Sequence, residues 1–458
     1  MSHIHDQAMH YIYQQVLERL LGHMTQPQRA SLQLLIQRLL VTSGGPEYIG
    51  TFKLLVVQGA DSRSARLLAI LRAAQLSIAL RAPLTFQLEV RVVGLPATGR
   101  ALLEQHQRCF DALFMHDDPR VHLQMVTVGR VVPFDRQPRA SEPWALARDA
   151  MLLFGHLIDS RPEALLGSRM HLELAAAVGL TCEDQPCADA LVTAMPVGTR
   201  RRYLAWARRG LRLAGDTGQL TATPCLASLA ERLRQLHGLA GLPVGEPEMP
   251  SHEPPAQAPM RLLAIDDLLP QLLGEGALDR IMLEQPFAPS QDGMPLAAYL
   301  DPLAVAQLQE LRERCLAPAR PREALRLVGQ RASGSPQRPQ PARLSQVHGV
   351  DQAQLICMLY GPFAEQGRGL ERFLQCRHPD MLVALPYLHR ALQGKPCPDA
   401  VKNWLVNTSG LSLRHLRVVY AGHLQHVTRR LLAALARRDV HLRLLPGPVD
   451  REAPPDGA

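Results

Sequence analysis

Three apolar runs near the N-terminus, Phe52–Val57, Phe86–Val93 and Val121–Val128, constrain this chain more than any other feature. Each is short, rich in Val, Leu and Phe, and without helical period, so each reads as a strand. Between them lie two segments, Ser62–Leu80 and Thr98–Met115, whose apolar residues return at helical spacing. Parallel neighbours need a crossover of a dozen or more residues, usually a helix, and both connections have that length. The alternation predicts a small parallel βαβαβ sheet. Two more helices are expected ahead of it, about 7–23 and 27–42, with Thr25 before Pro27 as a start and Ser43-Gly-Gly-Pro46 as a stop. From Glu142 to Gly241 the pattern is helical again. The expected fold class is an α/β N-terminal domain, a small parallel βαβαβ sheet flanked by helices, plus mainly α-helical C-terminal modules.

Two Pro-rich stretches divide the rest of the chain. Residues 242–259 hold Pro243, Pro247, Pro250, Pro254, Pro255 and Pro259 and no basic residue, and residues 317–345 mix Pro with Arg, Ser, Gly and Gln. Such composition reads as linker. The expected organisation is an α/β domain with a helical extension over 1–241, a linker at 242–259 and a helical module over 260–316. A second linker at 317–345 and a mainly helical domain over 346–458 complete it, with a final strand near Val440–Leu445. Charge follows this division. The chain is +8 in total, yet residues 242–316 sum to −8, while 317–345 and 346–458 each sum to +5. An acidic block between basic ones suggests internal complementarity, the acidic block folding back on a basic face.

All but three of the 50 basic residues are arginine, the exceptions being Lys53, Lys395 and Lys402; with abundant Leu and Ala this is the usage of a GC-rich bacterial genome. Eight cysteines in 458 residues are too few for a disulfide framework. The N-terminus lacks the basic and apolar regions of a secretory signal, and no run approaches 18 apolar residues. The expectation is a cytoplasmic protein without a membrane span; secretion independent of a signal would leave no such mark.

The loop Gln58-Gly-Ala-Asp-Ser-Arg-Ser-Ala-Arg66 follows the first strand and opens its helix. Ligands of parallel sheets sit beyond the carboxyl ends of strands, where helix N-termini offer free N–H groups to anions. Gly59 would let the backbone turn, Ser62 or Asp61 would cap the helix, and Arg63 and Arg66 would grip a phosphate. An ordinary capped turn explains the same residues, since neither a G-x-G-x-x-G nor a Walker pattern is present. The cluster His116-Asp117-Asp118, with His122 beyond it, has the residue types of a metal or acid–base site, and equally those of a polar turn. Cys376, His378, His389 and Cys397 have zinc-binding chemistry at a spacing unlike the usual zinc sites, and Cys182 and Cys187 are a weaker pair. The sequence therefore assigns neither a metal nor a cofactor.

Two basic segments carry more weight. Thr199–Arg212 places Arg200, Arg201, Arg202, Arg208, Arg209 and Arg212 around Tyr203 and Trp206. Arginine pairs phosphates bidentately and aromatic rings stack on bases, which suits nucleic acid; alternatively Tyr203, Leu204, Trp206, Ala207 and Leu211 form the buried stripe of an amphipathic helix. Further on, Leu413, Leu416, Tyr420, Leu424, Val427, Leu431 and Leu435 predict one continuous helix over 413–438. Its other face carries His415, His426, Arg430 and Arg437, with Arg429 at the margin. The functional expectation is a non-enzymatic bacterial binding protein, regulatory or adaptor-like, whose Arg-rich faces meet nucleic acid or an acidic protein surface. The alternatives are an enzyme acting on a phosphate-bearing small molecule at the 58–66 loop, and a scaffold joining protein partners.

Overall fold

The computed structural model describes residues 2–94, 100–127, 130–135, 142–157, 162–180, 188–215, 221–239, 260–274, 278, 307–308, 310–312 and 349–422. The chain divides into two compact units, one of residues 1–147 and 170–300, the other of 148–169 and 301–458.

The first unit opens with α1 (Ser2–Gly22) and α2 (Gln26–Thr42). Thr25 and Gln28 cap α2 reciprocally, with Thr25 N donating to Gln28 Oε1 at 2.9 Å, and Pro27 sits in the first turn, where its missing N–H costs nothing. Then come β1 (Lys53–Gln58), α3 (Ser62–Ala79), β2 (Gln87–Val93), α4 (Arg100–Ala112), β3 (Val121–Thr127) and β4 (Arg130–Pro133). Along the chain come next α5 (Glu142–Leu157), most of which belongs to the second unit together with the start of α6 (Pro162–Gly179), and then, back in the first unit, the rest of α6, β5 (Ala190–Val192), α7 (Val197–Ala214), α8 (Ala222–Leu239), β6 (Arg261–Leu262) and α9 (Leu269–Leu272). The sheet is mixed and six-stranded, in the order β4-β3-β2-β1-β5-β6. β1 pairs in parallel with β2, Leu54 opposite Leu88, and β2 with β3, Leu88 opposite Val121. β4 returns antiparallel along β3 as the edge hairpin. On its other side β1 pairs in parallel with β5, Leu54 opposite Ala190, and β5 with β6. The chain thus leaves β1 first to one side and later to the other, which makes the gap between the carboxyl ends of β1 and β5 the topological switch point.

Burial explains the apolar runs. Leu54 to Gln58 are all buried, as expected of a strand covered on both faces. α3 is buried along Ser64–Ile78, with Arg66, Arg72 and Gln75 among the buried side chains.

Two expectations need correction here. The helical reading of 142–241 misses β5, and the helical reading of 260–316 misses β6. Strands of three and two residues are too short to carry a period, and backbone pairing with β1 and β5 decides them. The described residues 260–274 lie in the first unit. Asp266 is held by Arg200 and Asp267 by Arg38, with Arg200 Nη2 2.6 Å from Asp266 Oδ2. Two carboxylates of this stretch thus pair with arginines.

In the second unit the described helices include, besides most of α5, α10 (Gln352–Tyr360), α11 (Leu370–Arg377), α12 (Leu385–Leu392), α13 (Asp399–Ser409) and α14 (Leu413–Ala421), with a 3₁₀ turn at Pro379–Ala384. Phe363, Phe373, Leu374, Leu388, Leu405 and Leu416 form its core. The expected continuous helix over 413–438 is not formed. α14 starts at Ser412, whose hydroxyl accepts from His415 N, and stops at Ala421, because Gly422 turns left-handed at φ 65° and closes the end. Leu416, Val419 and Tyr420 are buried as the apolar stripe requires, but His415, placed on the basic face, is buried with them. Leu424, Val427, Leu431 and Leu435 lie outside the described residues, as does the strand expected near 440–445. Leu416 is fully buried, so Leu416→Ala is expected to lose about 2–5 kcal/mol in urea denaturation of the chain.

Candidate functional site

α7 follows Pro196 and ends where Gly215 turns left-handed at φ 104°. Its sequence separates two faces. Tyr203, Trp206, Ala207 and Leu211 are buried and Leu204 half-buried, the stripe that packs the helix into its unit. Arg201, Arg202, Arg209 and Arg212 are exposed and Arg208 is half-buried. At 100° per residue these five side chains span about 120° of the helix surface. No acidic residue interrupts α7, and none of the four exposed arginines has an ion-pair partner among the described residues. Arg212 in the last turn also faces the negative end of the helix dipole.

Two groups counted with this face do something else. Arg200 is bidentate with Asp266, Nη1 to Oδ1 at 2.9 Å and Nη2 to Oδ2 at 2.6 Å, and keeps 16% side-chain exposure. The aromatic pair faces inward. Tyr203 and Trp206 stack with ring centroids 6.0 Å apart, His171 meets both edge-on, and Tyr203 OH donates to the His171 carbonyl at 2.9 Å. Burial raises the Tyr203 phenol well above its ordinary range. These rings are part of the core and present no surface to a nucleobase. Arg429, Arg430 and Arg437 lie outside the described residues.

The 58–66 loop sits at the switch point, with Gln58, Gly59, Ala60 and Asp61 buried. Asp61 caps α3: Oδ1 accepts from Ser64 N at 2.9 Å and Oδ2 from Ser64 Oγ at 2.8 Å. Burial raises its carboxyl pKa, against the bonds from Ser64 that lower it. The anion-favouring end of α3 is therefore filled by the chain's own side chain. Arg63 Nη2 turns to the Ala194 carbonyl at 3.2 Å, and Arg66, buried, sends Nη1 to the Leu273 carbonyl at 2.9 Å. Ser62 is the first residue of α3 and leaves the cap to Asp61, and Gly59 is buried between β1 and that cap. One feature gave no signal in the sequence: Gln58, fully buried at the end of β1, has no hydrogen-bond partner for either amide atom among the described residues.

The His116-Asp117-Asp118 segment is a turn whose last residue, Asp118, is buried. Asp118 accepts from Arg72 Nη1 at 2.7 Å and from Arg120 Nε and Nη2, each at 2.7 Å. The Tyr13 ring lies 5.2 Å from the Arg72 guanidinium and 4.9 Å from that of Arg120. His116 is half-exposed and meets Gln107 and Asp111. The four residues of the zinc set do not converge either. His389 Nδ1 pairs with Tyr420 OH at 2.9 Å, His378 packs on Phe373 and Trp404, and Cys376 is exposed. Among the described residues no group of three or more His, Cys, Asp or Glu is placed to hold a metal ion, and no helix is long and apolar enough to cross a membrane.

The first unit is thus a mixed α/β sheet with one switch point and an arginine-faced helix, and the described part of the second is helical. Comparison with protein-family models, with curated proteins and with solved structures finds no match.

Proposed function

We propose that this chain is a non-enzymatic binding protein that lays the outer face of α7 on a nucleic-acid backbone. The observation that supports it is the run of exposed arginines, Arg201, Arg202, Arg209 and Arg212, on a helix without acidic residues. From 201 to 212 the face is about 16 Å long, enough to meet several phosphates of a strand. With Tyr203 and Trp206 committed to the core, recognition runs through phosphate charge and carries little base preference. The competing reading, a phosphate-processing enzyme at the 58–66 loop, is disfavoured because Asp61 occupies the helix N-terminus and Arg63 and Arg66 serve backbone carbonyls.

Arg201→Glu with Arg209→Glu tests this. Exposed charges contribute little to folding, so the melting temperature is expected to stay nearly unchanged. Binding to duplex DNA or RNA should weaken at least tenfold, and the slope of log K against log salt should flatten by roughly two units, because about two fewer counterions are released. Equal binding by variant and wild type would remove α7 from recognition. Binding of an acidic polypeptide with no binding of either nucleic acid would shift the partner to a protein.

A further inference from the structure

We propose that the crevice at the switch point is a binding site for a short-chain carboxylic acid, separate from the exposed arginines of α7. Beneath α7 lies an apolar cavity of about 40 Å³, walled by Val57 of β1, Leu191 of β5, Leu174 of α6, Leu204 of α7, Leu226 of α8 and Leu262 of β6. It stands at the carboxyl ends of β1 and β5, the place where open α/β sheets hold their ligands.

The walls decide what it takes. A trapped water needs two to four polar partners, and the three hydroxyls of the lining residues are already engaged, that of Tyr203 by the His171 carbonyl. Thr193 Oγ1 accepts from Met195 N at 3.1 Å, and Thr223 Oγ1 donates to the Met260 carbonyl. The space therefore favours a small apolar group over water. Arg200 is the charged residue among the lining residues, and the Asp266 carboxylate already sits on its guanidinium in bidentate geometry. Asp266 occupies the position that a ligand's carboxylate would take. Its side chain is 33% exposed, so on displacement it can turn to water at little cost. A ligand with an aliphatic tail in the cavity and a carboxylate at Arg200 satisfies both features; the small volume restricts the tail to a short one.

The experiment titrates the full chain with hexanoate and with 1-hexanol, read by thermal shift and by calorimetry. Hexanoate is expected to raise the melting temperature, and hexanol, with the same tail and no charge, to bind at least tenfold more weakly. Asp266→Ala frees Arg200 and is expected to tighten hexanoate several-fold, a gain that damage to the fold cannot produce. Arg200→Gln is expected to erase the preference for the acid over the alcohol. Equal affinity for acid and alcohol in wild type, or no tightening in Asp266→Ala, would overturn the assignment.

Discussion

Asp118→Ala is expected to destabilise the first unit by about 3–5 kcal/mol, because it leaves the Arg72 guanidinium buried without a counter-charge. Both side chains of the Arg72–Asp118 pair are fully inaccessible, at 2.7 Å. Arg72 also donates Nε to the Leu113 carbonyl at 3.1 Å, Nη2 to the Phe114 carbonyl at 2.7 Å and Nη1 to Gln75 Oε1 at 2.7 Å, so it cannot swing out to water without breaking all of these. Asp118→Asn keeps the shape and some of the hydrogen bonds and should lose less. Urea denaturation at pH 7 reads both; a loss under about 1 kcal/mol for the alanine variant would show that the arginine finds another partner. Burial pushes the Asp118 carboxyl up, but Arg120 and Arg72 outweigh it and hold the pKa at about 2, against 3.8 for the free group. The unfolded chain therefore takes up this proton first as pH falls. The stabilisation from Asp118 is full above about pH 4 and disappears between pH 4 and pH 2.

Acid should weaken both units well before Asp118 titrates. His106 in the first unit and His156 in the second are fully buried, and desolvation lowers their pKa from 6.5 to about 4 and about 3 respectively. His106 stacks on Phe110, and His156 packs against Phe363 with neither ring nitrogen hydrogen-bonded among the described residues. Between pH 6.5 and these values the unfolded chain binds a proton that the folded chain refuses, so stability rises with pH across that window. On acidification from pH 6.5 to pH 4 each unit is expected to lose about 3 kcal/mol, and the second unit about 1 kcal/mol more by pH 3. Hydrogen exchange resolved by segment separates the two units. His156→Leu should flatten the pH dependence of the second unit and leave that of the first unchanged. A second unit equally stable at pH 7 and pH 4 in the wild type would refute the assignment.

Parts of this structure are legible in local pattern. Leu54–Val57 is an unbroken apolar run in a strand buried on both faces, and that run announces itself. Thr25 and Asp61 cap the helices they precede because a short side chain with an oxygen acceptor meets the free N–H groups there. The two faces of α7 follow from helical spacing alone, which separates Tyr203, Trp206, Ala207 and Leu211 from the arginines. The C-terminal helix shows where such reading fails. Its apolar stripe runs past residue 422 without a break in period, yet Gly422 adopts a left-handed conformation and ends α14.

What the sequence determined by itself is therefore periodic or adjacent: the parallel runs, the helix starts and the arginine face. Only the tertiary structure decided which charges are spent inside the protein. Arg66 finds the Leu273 carbonyl 207 residues away, Arg200 finds Asp266 66 residues away, and Arg72 finds Asp118 46 residues away. It likewise decided that Ala190–Val192 and Arg261–Leu262 become strands, since a segment that short is held by its neighbour's backbone. An arginine has the same side chain whether it faces solvent or a buried carboxylate. Its role is set by the partner that folding brings to it, and a local pattern carries no record of that partner.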